Sequence, residues 1–445
     1  MRESGLTRSR RRAGIAMAGA AVLALGWLAR PTVPVLRGPR ASAERKAEGK
    51  ALFVRQWLPH DPMAGGDGLG PVFNGRSCVE CHAQGGVGGG GGNEHNVLAF
   101  EALPSYDRPE VQGGLVHRFA VANHYIEDVA DLDRLFPTIP DAITISNGCY
   151  VVTRDFEPVK TERVNATALF GAGWVDRIPS RSIVRRNLAT AIKAIGRELQ
   201  SDFDTMPPGR YRVLPDGRIG KFGWKAQFAT LEEFVAAACA NELGLGTPHR
   251  PQAKPRVELP YPDVPPDLDR SQFRSLVAFV DTLPRPEEVS PADPNARAEA
   301  ERGRMLFDRI GCAVCHVPDL GGVAGVYSDF LLHRLVDRKG TYRQTLADVP
   351  LPREHPDPEE WKTPPLWGVA DSAPYFHDGA SPTLEEAIRR HRGDASPVTK
   401  AFDRLGADDQ RAVIRFLETL RAPSDAEEAP EPLGPEGGVS VAMGR

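Results

Sequence analysis

The chain has 445 residues, with 55 Lys and Arg against 59 Asp and Glu and a formal net charge of −4. That length supplies core for two or three domains, and that charge leaves no basic face of the kind nucleic acid demands. Forty-four glycines and 40 prolines mean much loop, and six cysteines are few enough that their spacing carries weight.

In chain order, a basic run from Arg8 to Arg12 precedes an apolar stretch, Ala13 to Ala29. This reads as a signal peptide or a single membrane anchor over residues 1–43. Two small-residue triplets, Ala24-Leu25-Gly26 and Ala41-Ser42-Ala43, leave cleavage open. A short helical piece follows, Gly49 to Phe53, and then the pentapeptide Cys-x-x-Cys-His at Cys78, Cys81 and His82. The same order returns downstream: Gly303 to Phe307, then Cys312, Cys315 and His316. The pentapeptide is the c-type haem attachment pattern: two thiols form thioethers to the porphyrin vinyl groups, and the adjacent imidazole turns onto the iron. A zinc site would need four ligands per metal, and no second Cys pair lies near either copy. A redox dithiol would sit in a βαβ pattern, which neither copy shows. Two covalently attached haem c groups are therefore expected. Haem of this kind is attached after export of an unfolded chain, so the expected location is the periplasm or the outer face of the inner membrane.

Gly85 to Gly92 is all glycine except Val87 and must be loop. Val97 to Val159 mixes β-branched and aromatic runs with turn residues and reads as several short strands inside an insertion. Cys149 and Cys239 are left over from the haem sites, and their pairing stays open. Each copy ends alike: Arg274 to Pro286 matches Arg411 to Pro423, with Val413, Phe416, Leu417 and Leu420 at helical spacing and Asp408 as a candidate N-cap. The fold class that follows is mainly α, with two cytochrome c-like haem domains, the first carrying a large loop-rich insertion with some short strands. The expected boundaries are 44–286 for the N-terminal domain, 287–296 for a linker, 297–423 for the C-terminal domain and 424–445 for a disordered tail.

The blocks Gly68 to Ser77, Asn165 to Gly173, Phe222 to Ala226 and Thr363 to Gly368 resemble the di-haem oxidoreductase family described as peroxidases or thiol oxidoreductases. The resemblance spans Gly49 to Pro423. More distant kin are the bacterial di-haem cytochrome c peroxidases and the methylamine-utilisation di-haem enzyme. In such peroxidases the helix after a His-Asp-Gly turn supplies the sixth ligand of the C-terminal haem, usually Met. Here the turn is His377-Asp378-Gly379 and His391 stands in that place, which implies a haem of lower potential than a His/Met one. His377 itself is expected beside the haem rather than on its iron. His95 is the candidate distal ligand of the first haem, with His117 and His124 as weaker ones. The segment Ala229 to Leu243 resembles a peroxidase helix whose terminal Glu faces the peroxide site, and Glu242 occupies that place without the family's proline. A surface helix-end role is the bland reading of both Glu242 and His391. Trp224 is placed between the haems, or else in the core. The analogy also admits a calcium ion between the domains, although no EF-hand loop marks one.

The function this implies is a periplasmic di-haem c-type oxidoreductase that reduces hydrogen peroxide with electrons relayed between its haems. A small redox protein or a quinone-linked donor would supply them. Two other classes compete: a non-catalytic electron-transfer cytochrome and a haem enzyme that oxidises a protein partner.

Overall fold

A computed structural model of the chain describes residues 36–102, 112–138, 142–146, 149–153, 158–198, 206–256, 261–335, 355–356, 359–430 and 442–443. The expected signal or anchor at 13–29 lies outside these residues. Among the described residues no helix is long and apolar enough to cross a membrane. The chain divides into two units, Met1–Arg37 and Gly38–Arg445, and every element below belongs to the second.

The helices that position the site are α1 (Ala43–Val54), α2 (Leu231–Glu242), α3 (Arg270–Asp281), α4 (Pro294–Arg309), α5 (Leu384–Arg389) and α6 (Ala407–Leu417). Two pairs cross closely, α1 on α3 and α4 on α6. Each crossing is built on a glycine. A Cβ on Gly49 would lie 1.9 Å from the Ser275 carbonyl oxygen, and one on Gly303 would lie 1.8 Å from that of Ala412. One turn further on, aromatic rings fill the space beside each contact. Phe53 meets Phe279 with ring centres 5.2 Å apart, and Phe307 meets Phe416 at 5.3 Å. The sequence repeat is thus a structural repeat: small residue, close backbone approach, aromatic pair. Phe307, Tyr327, Phe416, Leu417 and Leu420 continue the second crossing into a buried cluster.

The insertion after the first motif contains β1 (Val97–Ala102), which pairs antiparallel with β2 (Gln112–Val116) on one edge and β3 (Val159–Val164) on the other. Ala142–Ser146 and Cys149–Thr153 form a separate hairpin. Phe100, Val116 and Leu132 make the buried seam of the three-stranded sheet, with Leu132 arriving from the short helix Val129–Leu135. Short strands were expected here, and the apolar alternation accounts for them.

Three sequence expectations are corrected. The acid- and proline-rich segment expected as linker is largely structured: Glu287–Glu288 pairs with Leu420–Arg421, and α4 begins at Pro294, capped by the Asp293 carboxylate on the Ala296 amide at 2.8 Å. Asp-Pro is a helix-start signal, and composition alone hid it. Gly406, not Asp408, caps α6, and Asp408 and Asp409 occupy its first turn, where the helix dipole favours acid. The expected disordered tail holds fixed contacts in its described part. The Val87 amide donates to the Glu427 carbonyl at 2.8 Å, and Ala442–Met443 pairs with Phe119–Ala120.

Candidate functional site

The second motif opens in a single 3-10 turn, Cys312–Val314, entered through Gly311 at φ 100°. That left-handed backbone suits glycine. The His316 Nδ1–H donates to the Tyr327 carbonyl at 3.0 Å, which leaves Nε2 free. Burial lowers its pKa to about 4, so the ring is neutral. His391 follows the end of α5, and its Nδ1–H donates to the Ala387 carbonyl at 2.8 Å. Burial depresses its pKa as well. The two ring centres stand 6.3 Å apart with their planes at 69°. Metal–imidazole bonds are about 2 Å long and a ring centre lies about 1 Å behind its nitrogen, so an ion between two facing imidazoles sets the centres about 6 Å apart.

The first motif starts with Ser77 capping the turn Cys78–Cys81. The His82 Nδ1–H donates to the Gly89 carbonyl at 3.1 Å, and burial brings its pKa to about 4. The acceptor belongs to the glycine-rich loop, which folds back onto the motif: the Gly88 amide donates to the His82 carbonyl at 2.9 Å. A Cβ on Gly91 would lie 2.5 Å from the Cys81 carbonyl oxygen, so side chains there would push the loop off. His95 comes from the 3-10 turn Asn93–His95, close enough for its charge to oppose one on His82, with Nε2 3.6 Å from a Glu94 carboxylate oxygen.

A cavity of about 780 Å³ is lined by both motifs together with His95, His391 and Glu242. Trp224, Trp361 and His377 line it as well. Burial pushes the thiol pKa of Cys78 and of Cys312 up to about 12, so these sulfurs are neutral thiols facing an apolar space. Three imidazoles held through Nδ1, paired thiols and a large apolar cavity form a donor set that fits haem.

Residues 274–420 match the family described as "Di-haem oxidoreductase, putative peroxidase". That stretch of the chain is thus similar to this family. Among curated relatives, the cytochrome c551 peroxidase of Nitrosomonas europaea is 24% identical over 216 residues, covering 44% of this chain and 60% of the relative. The cytochrome c peroxidase Ccp of Escherichia coli is 26% identical over 223 residues, covering 44% of each. The chain therefore spans about three fifths or less of the length of these two relatives. Among solved structures, the diheme peroxidase BthA from Burkholderia thailandensis aligns over 88% of this chain and 91% of that one at 14% identity, with a TM-score of 0.38. The family implies two haem cofactors.

Within the matched residues, the turn Ala373 to Gly379 and strand β5 (Glu360–Lys362), paired with β4 (Leu332–Arg334), build an aromatic wall. Trp361 stacks on His377 with centres 3.6 Å apart, and Trp224 meets both edge-on at 6.5 and 6.2 Å. The Trp224 indole N–H donates to the Asn165 carbonyl at 2.9 Å, so the ring is fixed. Phe376 bridges from this wall to His391 at 5.2 Å. His377 is thus a stacking residue, buried and paired with Glu162.

Glu242 ends α2 on the cavity wall. Burial pushes its pKa up, against the Asn74 hydrogen bond at 2.8 Å and the nearby His117 charge. Its backbone carbonyl accepts from the Asn74 and Gly75 amides at 2.7 and 3.1 Å. Behind it, His117 follows β2 and uses both ring nitrogens. Nδ1 is 2.8 Å from a Glu127 carboxylate oxygen, and Nε2 is 3.0 Å from the Asn241 carbonyl. Both ring nitrogens are engaged by acceptors, so neither is free for iron. His124 is exposed, packs on Tyr125 and does not line the cavity. Both are therefore set aside as haem ligands.

Sequence reasoning missed Asn74, Glu127 and Arg256, whose roles come from contacts 124 to 168 residues apart or from a distant loop. It also missed the buried pair Asp329–His333, 3.1 Å apart, with the His333 ring 3.8 Å from the Cys315 sulfur. An i,i+4 Asp/His spacing was the available signal. Donor atoms of Cys315, Asp329 and His333 lie within 4.8 Å of one another, one ligand short of a closed zinc site. Cys239 is a buried free thiol on the cavity wall, and the side chain of Cys149 lies outside the described residues.

Proposed function

We propose that this chain is a periplasmic di-haem c-type oxidoreductase that reduces hydrogen peroxide. Cys78 and Cys81 hold one haem and Cys312 and Cys315 the other, with His82 and His316 as proximal ligands and His391 as the second ligand on the His316 side. The observation that carries the catalytic reading is Glu242, a carboxyl of raised pKa on the wall shared by both motifs. The two crossing helix pairs support an arrangement of two haem domains, the second beginning at Pro294.

When bound, the haem pair supplies the electrons and the iron position at which an O–O bond is cleaved. Glu242 takes a proton from the near peroxide oxygen and returns it to the departing one, and two electrons and two protons yield two water molecules. Asn74 aims the carboxyl, and Trp224, Trp361 and His377 fill the space between the two motifs with stacked rings for electron passage. His95 is the residue positioned to close or open the first iron. The 6.3 Å spacing of His316 and His391 also suits a pure electron-transfer haem on that side, and Glu242 is what favours chemistry on the other.

His391→Ala tests the ligand assignment in protein matured by haem-attachment machinery. One haem is expected to pass from low to high spin in the optical spectrum while two haem masses are retained. An unchanged spectrum would remove His391 from the iron.

A further inference from the structure

Lys362 is a charged group on the cavity wall that the described residues leave without an anion of its own. The residue is only 7% exposed, and among the described residues its ammonium makes no hydrogen bond and no ion pair. It lies 5.4 Å from the centre of the Phe330 ring and lines the cavity. Asp329, the nearest acid that acts on it, is already engaged by His333, the Leu331 amide and Thr363. Burial lowers the Lys362 pKa only to about 8, so the group is still mostly charged at neutral pH. A buried ammonium without an anion is costly by several kcal/mol, and evolved interiors either neutralise it or pair it. Strand β5 fixes it there: the Lys362 amide donates to the Trp224 carbonyl at 2.8 Å, and the side chain lies by Phe330 and Asp329, whose partner His333 is 3.8 Å from the Cys315 sulfur.

We propose that Lys362 is the counter-ion of a carboxylate carried by the cofactor, a propionate of the haem attached at Cys312 and Cys315. This rests on the two-haem reading above. A haem brings two carboxylates into an otherwise apolar cavity, and each needs a cation as much as Lys362 needs an anion. The pairing would draw that carboxylate to the strand carrying Lys362, whose amide donates to the Trp224 carbonyl. The same chemistry, a small carboxylate, could also arrive from solution.

The test uses the full chain matured with haem, as Lys362→Met and Lys362→Arg, with haem content checked by mass. Fewer than two haems in the unmutated protein would overturn the two-haem reading itself, which separates that failure from failure of the pairing. With two haems present, K362M is expected to lower the reduction potential of one haem only, because loss of a neighbouring cation favours the ferric state. The propionate bending band in resonance Raman should move with it, and K362R should restore both. An unmoved band overturns the pairing, whatever the potential does. A wild-type potential that responds to added sodium formate, with the response lost in K362M, assigns the site to a dissolved carboxylate and also overturns it.

Discussion

Glu242→Gln is expected to slow peroxide reduction by about 10²- to 10⁴-fold at unchanged haem content, the range over which a positioned acid–base group acts. The amide keeps the size of the side chain and can still meet Asn74, so the cavity wall survives while the transferable proton is lost. Enclosure raises the carboxyl's pKa, which brings it nearer to working pH than a solvated glutamate. The first step needs the deprotonated form as base. Peroxide reduction should therefore rise with pH through this elevated pKa and lose that limb in E242Q. Initial rates with a reduced small cytochrome as donor, measured across the acid range, read both effects. Equal turnover in wild type and variant would return Glu242 to a helix-end role.

The second large effect concerns stability. Glu127→Ala is expected to cost about 3–5 kcal/mol, the loss typical of a buried ion pair stripped of one partner. One Glu127 oxygen accepts from the His117 amide, the His117 ring and the Arg256 guanidinium at 2.9, 2.8 and 2.8 Å, and the other from the Arg256 amide at 3.0 Å. Removing the carboxylate leaves the Arg256 guanidinium and the His117 ring without their shared partner. Burial alone would raise the Glu127 pKa, but His117 and Arg256 outweigh it and hold it below the ordinary glutamate range. A depressed folded pKa stabilises above the unfolded value and the stabilisation is lost as pH falls through the folded one. The difference between wild type and E127A should accordingly be full at pH 7 and shrink in acid. Urea unfolding followed by far-ultraviolet circular dichroism at both pH values measures it. A loss below about 1 kcal/mol at pH 7, the scale of an exposed pair, would show that the triad does not hold the end of α2.

What was legible in the sequence was local or repeated. Cys-x-x-Cys-His names its own chemistry, and the paired motifs Gly49–Phe53 and Gly303–Phe307 anticipated crossings that the structure places at those glycines. Helix α2 was anticipated through the resemblance of Ala229 to Leu243 to a peroxidase helix, and the structure starts it with a capping box between Thr230 and Glu233. The supports of Glu242 were not legible. His117 reaches it from the end of a strand, and Glu127 and Arg256 from two loops, so no window of sequence contains them together. Lys362 was hidden for a different reason: it looks like any strand-end lysine until its burial is known. The glycine-rich run was expected as loop, and its contacts with His82 and Cys81 explain why only glycine serves at its closest approaches.

Electron paramagnetic resonance of the fully oxidised and half-reduced protein, integrated against protein concentration, addresses the central claim most directly. Two ferric haems per chain are predicted in the fully oxidised form, one of them low-spin with two imidazole ligands, and the other is expected to give a high-spin signal of an open position in at least one of the two forms. Low-spin signals alone in both forms would contradict peroxide chemistry at this site and leave an electron-transfer cytochrome.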